Sequence, residues 1–222
     1  MPYPRLVLVT FGKDEKMTEI SLMALMERFR KSFQEIRDNV ETLTALDAKT
    51  GDGDHGVTMV RIVDKAESAM NDKGYGDFPA LFKAMGFGAM SAGGGSAGPL
   101  MGQFFLGLAL GIPANPDAMT VSDVAKFLEA GYQGMFKFSK ANVGDRTMMD
   151  ALKPGVDALR SFAGDDVNEA LAAAAEAAEK GAKATENMLA KFGRARNLGE
   201  NVLGSADPGA TSWSYLFKGL CK

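Results

Sequence analysis

Three aspartates, Asp47, Asp52 and Asp54, fall inside the glycine-rich run LDAKTGDGDHG at residues 46–56. Carboxylate oxygens this close together, on a backbone freed by Gly51, Gly53 and Gly56, suit a hard divalent cation such as Mg²⁺ better than they suit one another. Two like charges about 4 Å apart repel by roughly 1 kcal/mol in water and roughly 4 kcal/mol at the effective dielectric of a protein surface. A cation, raised pKa values or wide separation must relieve that repulsion. The plain alternative is a solvated acidic loop whose aspartates splay apart, and the spacing by itself leaves both readings open.

Other glycine-rich turns tip the balance toward function. They are GGGSAGPL at 93–100, GDRTMMD at 144–150, and the pair GRARNLGE at 193–200 and ADPGATS at 206–212. All but GRARNLGE lead directly into an expected helix. A helix N-terminus with N–H groups exposed by glycine is an anion site, and several such turns at one end of a bundle would cradle phosphates. Any one cluster is equally well explained by tight turns and caps.

Two stretches, 51–56 and 93–98, match the dinucleotide string GxGxxG, but neither follows an expected strand, which that fingerprint requires. The sequence holds no GxxxxGK[ST], which excludes a P-loop. Counted from Asp52 as an EF-hand, the fifth position is Gly56 and the twelfth Val63, so the bidentate glutamate is missing. His55 is the sole histidine. Between Asp54 and Gly56 it suits a donor to a phosphate oxygen or to an aspartate, and no serine nearby makes a convincing nucleophile. Of Arg194 and Arg196, one reads as a phosphate fork and the other as a surface charge. The fourteen methionines are most simply core filler.

The elements that position these turns are helical. From residue 22, LMALMERFRKSFQEIRDNVETL repeats apolar residues at three- and four-residue spacing, an amphipathic helix with Thr18 as its expected N-cap. The same period recurs over 57–71, 79–91, 99–110, 121–139, 147–162, 167–189 and 208–220, with Thr120, Asp166 and Asp207 as N-caps. That gives about eight helices and no period-two run. The mostly short breaks suit antiparallel neighbours in a bundle.

The chain has 222 residues, 46% of them hydrophobic, which is ordinary for one packed core. A net charge of −3 with no basic stripe argues against a nucleic-acid partner. The single cysteine, Cys221, excludes an intramolecular disulfide and fits a reducing cytoplasm. The apolar patch at 6–11 is too short to cross a membrane and reads as part of an arm at 1–16, ahead of one helical domain at 17–222.

Taken together, LDAKTGDGDHG, GGSAGPL, GDRTMMD, GRARNLGE and DPGATS, in this order from about residue 22 onward, resemble the nucleotide-binding L subunit (DhaL) of dihydroxyacetone kinases. The resemblance implies an all-α, eight-helix antiparallel up-and-down barrel that binds ADP or ATP at one end through two Mg²⁺ ions. Asp47, Asp52 and Asp54 would be the metal ligands. His55, Gly56, Val57 and Thr58 would begin a helix under the phosphates, and Gly95, Ser96 and Ala97 would form a second phosphate-facing turn. Ser139, Met148, Arg194, Asp207, Pro208 and Gly209 fall where the family contacts the nucleotide. The family usually has serine where this chain has Ala97, so either Ser96 supplies the hydroxyl from one position earlier or the contact is lost.

In that family the ketose is held covalently on a separate K subunit or domain, so the resemblance, which covers the L unit alone, implies a chain inactive without a K partner. The phosphoryl donor would be either a phosphohistidine protein of the phosphotransferase system, acting on resident ADP, or free ATP. A nucleotide-sensing scaffold that keeps the site but transfers nothing is the alternative from another functional class.

Overall fold

The computed structural model describes residues 16–74 and 76–222, so the expected arm at 1–16 lies, apart from Lys16, outside the described residues. Among these, regular structure is helical apart from one antiparallel bridge between Ile20 and Met119. The helices are α1 (Leu22–Asp38), α2 (Val40–Ala48), α3 (His55–Lys73), α4 (Phe78–Met90), α5 (Ala97–Leu110), α6 (Val121–Ser139), α7 (Met149–Ser161), α8 (Val167–Ala184) and α9 (Pro208–Leu220). Tight 3-10 turns cover Thr185–Asn187 and Arg194–Val202.

From α3 on, each helix packs beside the next in sequence, and α9 returns to pack on α1, which closes the ring. Helices α1 and α2 together form one stave, so the expected eight-stave barrel is present with its first stave bent. The bend falls at Asn39, whose side-chain amide donates to the Glu35 carbonyl at 2.8 Å in competition with the helix ladder. It lets α2 lie against the start of α3. A Cβ on Gly56 would sit 2.3 Å from the Val40 carbonyl oxygen, so only glycine permits this approach.

The barrel interior is filled by side chains. Phe33 and Phe105 meet edge to face with centroids 6.3 Å apart, and Phe104 and Trp213 do so at 4.7 Å. Met26, Met59, Met85 and Met149 are buried, the filler role expected of methionine.

Several helix boundaries shift for identifiable reasons. Ser21, not Thr18, caps α1, its hydroxyl accepting the Ala24 N–H at 3.1 Å, because Ile20 is held in the bridge to Met119. The helix expected from 147 begins at Met149, since the Asp150 carboxylate accepts the N–H of Gly144 at 2.6 Å and of Thr147 at 2.7 Å and keeps that stretch as a turn. Helix α8 stops at Ala184 rather than 189 because the Thr185 hydroxyl turns back to the Ala182 carbonyl. Thr120, with a full capping box to Asp123, and Asp166 and Asp207 cap as expected.

Candidate functional site

In an up-and-down barrel, alternate helices start at the same end. Helices α3, α5, α7 and α9 begin around one cavity of about 550 Å³, and the aspartate turn closes one side of it. The two ends differ in how their helix N-termini are satisfied. At the far end, α1, α4, α6 and α8 each carry a side-chain cap, from Ser21, Asp77, Thr120 and Asp166. At the cavity end only Asp207 of α9 caps with its side chain, whereas Asp54, Ser96 and Met148 make no capping bond among the described residues. Those first-turn N–H groups are left to solvent, to neighbouring residues or to an anion.

Asp47, Asp52 and Asp54 each offer an oxygen within 4.8 Å of the other two. Asp47 ends α2, and its Oδ2 accepts the N–H of Asp54 at 3.0 Å and of His55 at 3.2 Å. Gly51 makes room for this carboxylate, since a Cβ there would lie 2.4 Å from Asp47 Oδ1. Arg194 reaches across from the 193–200 loop to ion-pair with Asp52, so the cluster already draws a cation. An all-oxygen donor set that attracts positive charge fits a hard divalent ion.

On the opposite wall, Gly93, Gly94 and Gly95 have φ of 70°, 86° and 71°, a succession that side-chain-bearing residues rarely adopt. Their N–H groups lead into α5, with exposed Ser96 and buried Ala97 both at the cavity. Pro208, Gly209 and Ser139 also reach the cavity, and Phe138 and Met148 supply a more apolar part of the lining.

Burial lowers the pKa of His55 against the opposing pull of Asp47 and the Pro208 backbone, so its ring is neutral at neutral pH. The ring lies 3.3 Å from the Ser212 hydroxyl, which itself donates to the Gly209 carbonyl. That chain of contacts ties α3 to α9. Burial also pushes Asp207 up to about 6, opposed by the Ala210 N–H and by Arg146.

Of the sixteen residues singled out, the cavity lining gathers Asp47, Asp52, Asp54, His55, Gly95, Ser96, Ala97, Ser139, Met148, Arg194, Asp207, Pro208 and Gly209. It leaves out Gly56, packed on α2, Val57, which is 52% exposed, and Thr58, which is buried. Thr58 acts from behind, because a Cβ on Gly94 would lie 2.4 Å from its hydroxyl oxygen. Sequence reasoning missed Arg146, Phe138 and Phe192 at the cavity and Asp150 behind it. GDRTMMD, read as a turn before a helix that could cradle phosphate, was the available signal for Arg146 and Asp150.

A family model described as the DAK2 domain matches residues 49–222. The chain belongs to the DAK2 family. Among relatives of this family, the ADP-binding subunit DhaL of an Escherichia coli PEP-dependent dihydroxyacetone kinase is 37% identical over 186 residues, covering 81% of this chain and 86% of the relative. The corresponding DhaL subunit of Listeria innocua PEP-dependent dihydroxyacetone kinase 1 is 34% identical over 187 residues, covering 84% and 89%. Among solved structures, the dihydroxyacetone kinase of C. freundii in its native form superposes with a TM-score of 0.69 at 28% identity. The same kinase in complex with AMP-PNP and Mg²⁺ gives 0.67 at 27%. This chain is covered completely in both, yet it spans only 39% and 37% of those longer kinase chains. The DAK2 helical bundle is thus shared at the level of fold as well as sequence. Among the described residues, no helix is long and apolar enough to cross a membrane.

Proposed function

We propose that this chain is the nucleotide-carrying subunit of a short-ketose kinase, holding Mg-ADP or Mg-ATP at the cavity end of the barrel for phosphoryl transfer to a ketose on a separate K subunit. Dihydroxyacetone is the leading substrate and erythrulose a close second, since that choice belongs to the K partner. The observation that carries this reading is the pairing of a carboxylate trio with the starts of α3, α5 and α7, whose N-cap residues Asp54, Ser96 and Met148 make no side-chain capping bond. A carboxylate cluster by itself repels phosphates, and bare helix N-termini by themselves attract them. The two make sense side by side when divalent ions lie between carboxylates and phosphates.

In this reading Asp47, Asp52 and Asp54 would hold two Mg²⁺, and the N–H groups of the 93–96 turn and of the α3 start would be the donors to phosphate oxygens. When bound, the ions supply charge neutralisation and in-line orientation of the terminal phosphoryl group. The protein's part is positioning. The Asp47 hydrogen bonds fix the metal-binding turn to α3, neutral His55 braces α3 against α9, and Arg194 offers a positive fork paired with Asp52. Phe138, Met148 and Phe192 offer apolar surface for a flat base. No side chain is asked to form a covalent bond. Residues 17–222 act as one unit in the cytoplasm, and the resident nucleotide is recharged either by a phosphohistidine protein of the phosphotransferase system or by exchange with ATP.

Reconstitution with the cognate K subunit tests the proposal. Transfer of phosphate to dihydroxyacetone or erythrulose, with neither subunit active alone, is the expected result. Tight nucleotide binding without transfer to any short ketose contradicts it and favours a nucleotide sensor.

A further inference from the structure

The stretch from residue 188 to 206 links α8 to α9 as a strap across the cavity mouth, and it brings Phe192, Arg194 and Ala195 to the lining. Most of residues 189–201 are exposed. A segment with so little buried surface takes its position from polar tethers more than from packing.

Besides the Gly204 N–H, which the Glu186 carbonyl accepts at 2.8 Å, four of those tethers converge on two consecutive residues of the turn before α7. On the incoming arm, the Asp145 carbonyl accepts the Lys191 N–H at 3.1 Å and its carboxylate accepts the Lys191 ammonium at 2.6 Å. On the outgoing arm, Arg146 Nη2 donates to the Val202 carbonyl at 3.2 Å and the Ser205 carbonyl at 2.7 Å. The clamp itself is fixed from below: Asp145 Oδ2 accepts the Asn142 N–H at 2.7 Å, and Asp150 holds Gly144 and Thr147.

Arg146 bears two marks of a residue kept at a cost. Its φ is +57°, a region that L side chains rarely occupy. Its guanidinium is buried, with Nε and Nη1 lacking a hydrogen-bond partner among the described residues and Nη1 3.9 Å from Asp207 Oδ1. A loop whose only task was to join two helices needs neither feature.

We propose that Asp145 and Arg146 are positioning residues of the donor site, clamping both arms of the strap so that the Arg194 guanidinium stays over Asp52. What the site does rests on the function proposed above, whereas the clamp rests on this geometry alone.

Two readouts on the purified chain test it. Trypsin cleaves within the strap after Lys191, Arg194 and Arg196, so cleavage is followed at Arg194 and Arg196, which Lys191→Ala and Arg146→Gln both keep, and titration calorimetry reads Mg-ADP affinity. Lys191 is 63% exposed, so Lys191→Ala tests the incoming arm without threatening the fold, whether or not Arg146→Gln folds. Both variants are expected to speed strap cleavage and weaken Mg-ADP binding by about tenfold, the scale of one lost charge-assisted hydrogen bond. Lys191→Arg should restore both. Placed in an Arg194→Ala background, Lys191→Ala should add little further loss of affinity, because both remove the same contact. Unchanged cleavage overturns the clamp. So does faster cleavage with wild-type affinity, or a loss that adds fully to that of Arg194→Ala. Failure of the wild-type chain to bind Mg-ADP refutes the functional reading instead, and proteolysis still decides the clamp.

Discussion

Asp47 Oδ2 accepts the backbone N–H of Asp54 at 3.0 Å, so one carboxylate oxygen ties the end of α2 to the start of α3, and the same carboxylate offers an oxygen within 4.8 Å of Asp52 and Asp54. Structural and electrostatic roles of Asp47 are therefore separable by substitution. Asp47→Asn keeps an oxygen acceptor and removes the charge; Asp47→Ala removes both. In metal-free buffer Asp47→Asn is expected to be more stable than Asp47→Ala by about 1 kcal/mol, the scale of a capping bond. Chemical denaturation measures the difference, and equal stability of the two variants contradicts the assignment of that oxygen. Neither variant should gain stability from Mg²⁺ as the wild type does.

Arg194 and Asp52 form an exposed ion pair, their side chains 66% and 47% accessible. Such pairs contribute little to folding. Arg194→Ala should therefore shift unfolding free energy by no more than about 0.5 kcal/mol, while weakening nucleotide binding in calorimetry. A large loss of stability with unchanged binding would show that Arg194 serves the fold rather than the site.

Asp207 gives the fold a pH signature. Its folded-state pKa of about 6 lies above the ordinary value of 3.8, because burial disfavours the charged form. A raised value means that this group favours folding most fully below its unfolded pKa, and that the contribution is lost as pH rises through about 6. Asp207→Asn retains an acceptor for the Ala210 N–H, which the wild-type carboxylate binds at 2.8 Å, but cannot ionise. The stability of Asp207→Asn relative to wild type should therefore increase between pH 4 and 6 and level off above about 7. A difference independent of pH, measured by urea unfolding across that range, contradicts it.

Gly181 of α8 packs on the Asp150 carbonyl, where an added Cβ would lie 1.9 Å from the oxygen. That carbonyl is four residues before Pro154, which has no N–H to offer it within α7. Gly181→Ala should destabilise the barrel by about 1–3 kcal/mol through forced separation of α7 and α8. A loss well below that range in denaturant titration would show that the two helices part without strain.

Much of this architecture was legible in the sequence because its causes are local. Helical period marks the staves, and the caps Thr120, Asp166 and Asp207 bond to N–H groups only two or three residues ahead. The aspartate turn could be recognised because its three carboxylates lie within eight residues of one another. The bend at Asn39 was less visible, since it depends on a side chain competing for the Glu35 carbonyl inside a run of unbroken helical period. GDRTMMD marked the turn that carries Arg146, but not what its side chain holds. Its partners are backbone carbonyls at Val202 and Ser205, 56 and 59 positions away, and a carbonyl leaves no residue-specific trace. Gly56, Val57 and Thr58 show the converse limit: adjacency to the aspartate turn does not ensure that a residue reaches the cavity lining, because successive side chains on a helix face different ways.

The account turns on whether the carboxylate trio binds a nucleotide through Mg²⁺. Calorimetric titration of the chain with ADP in the presence and absence of Mg²⁺, for wild type, Asp52→Ala and Asp54→Ala, measures this directly, with far-ultraviolet circular dichroism to follow helix content. Mg-dependent binding by the wild type, weakened by at least about tenfold in each variant with helix content intact, is the predicted result. Nucleotide binding that is indifferent to Mg²⁺ and to both substitutions contradicts it.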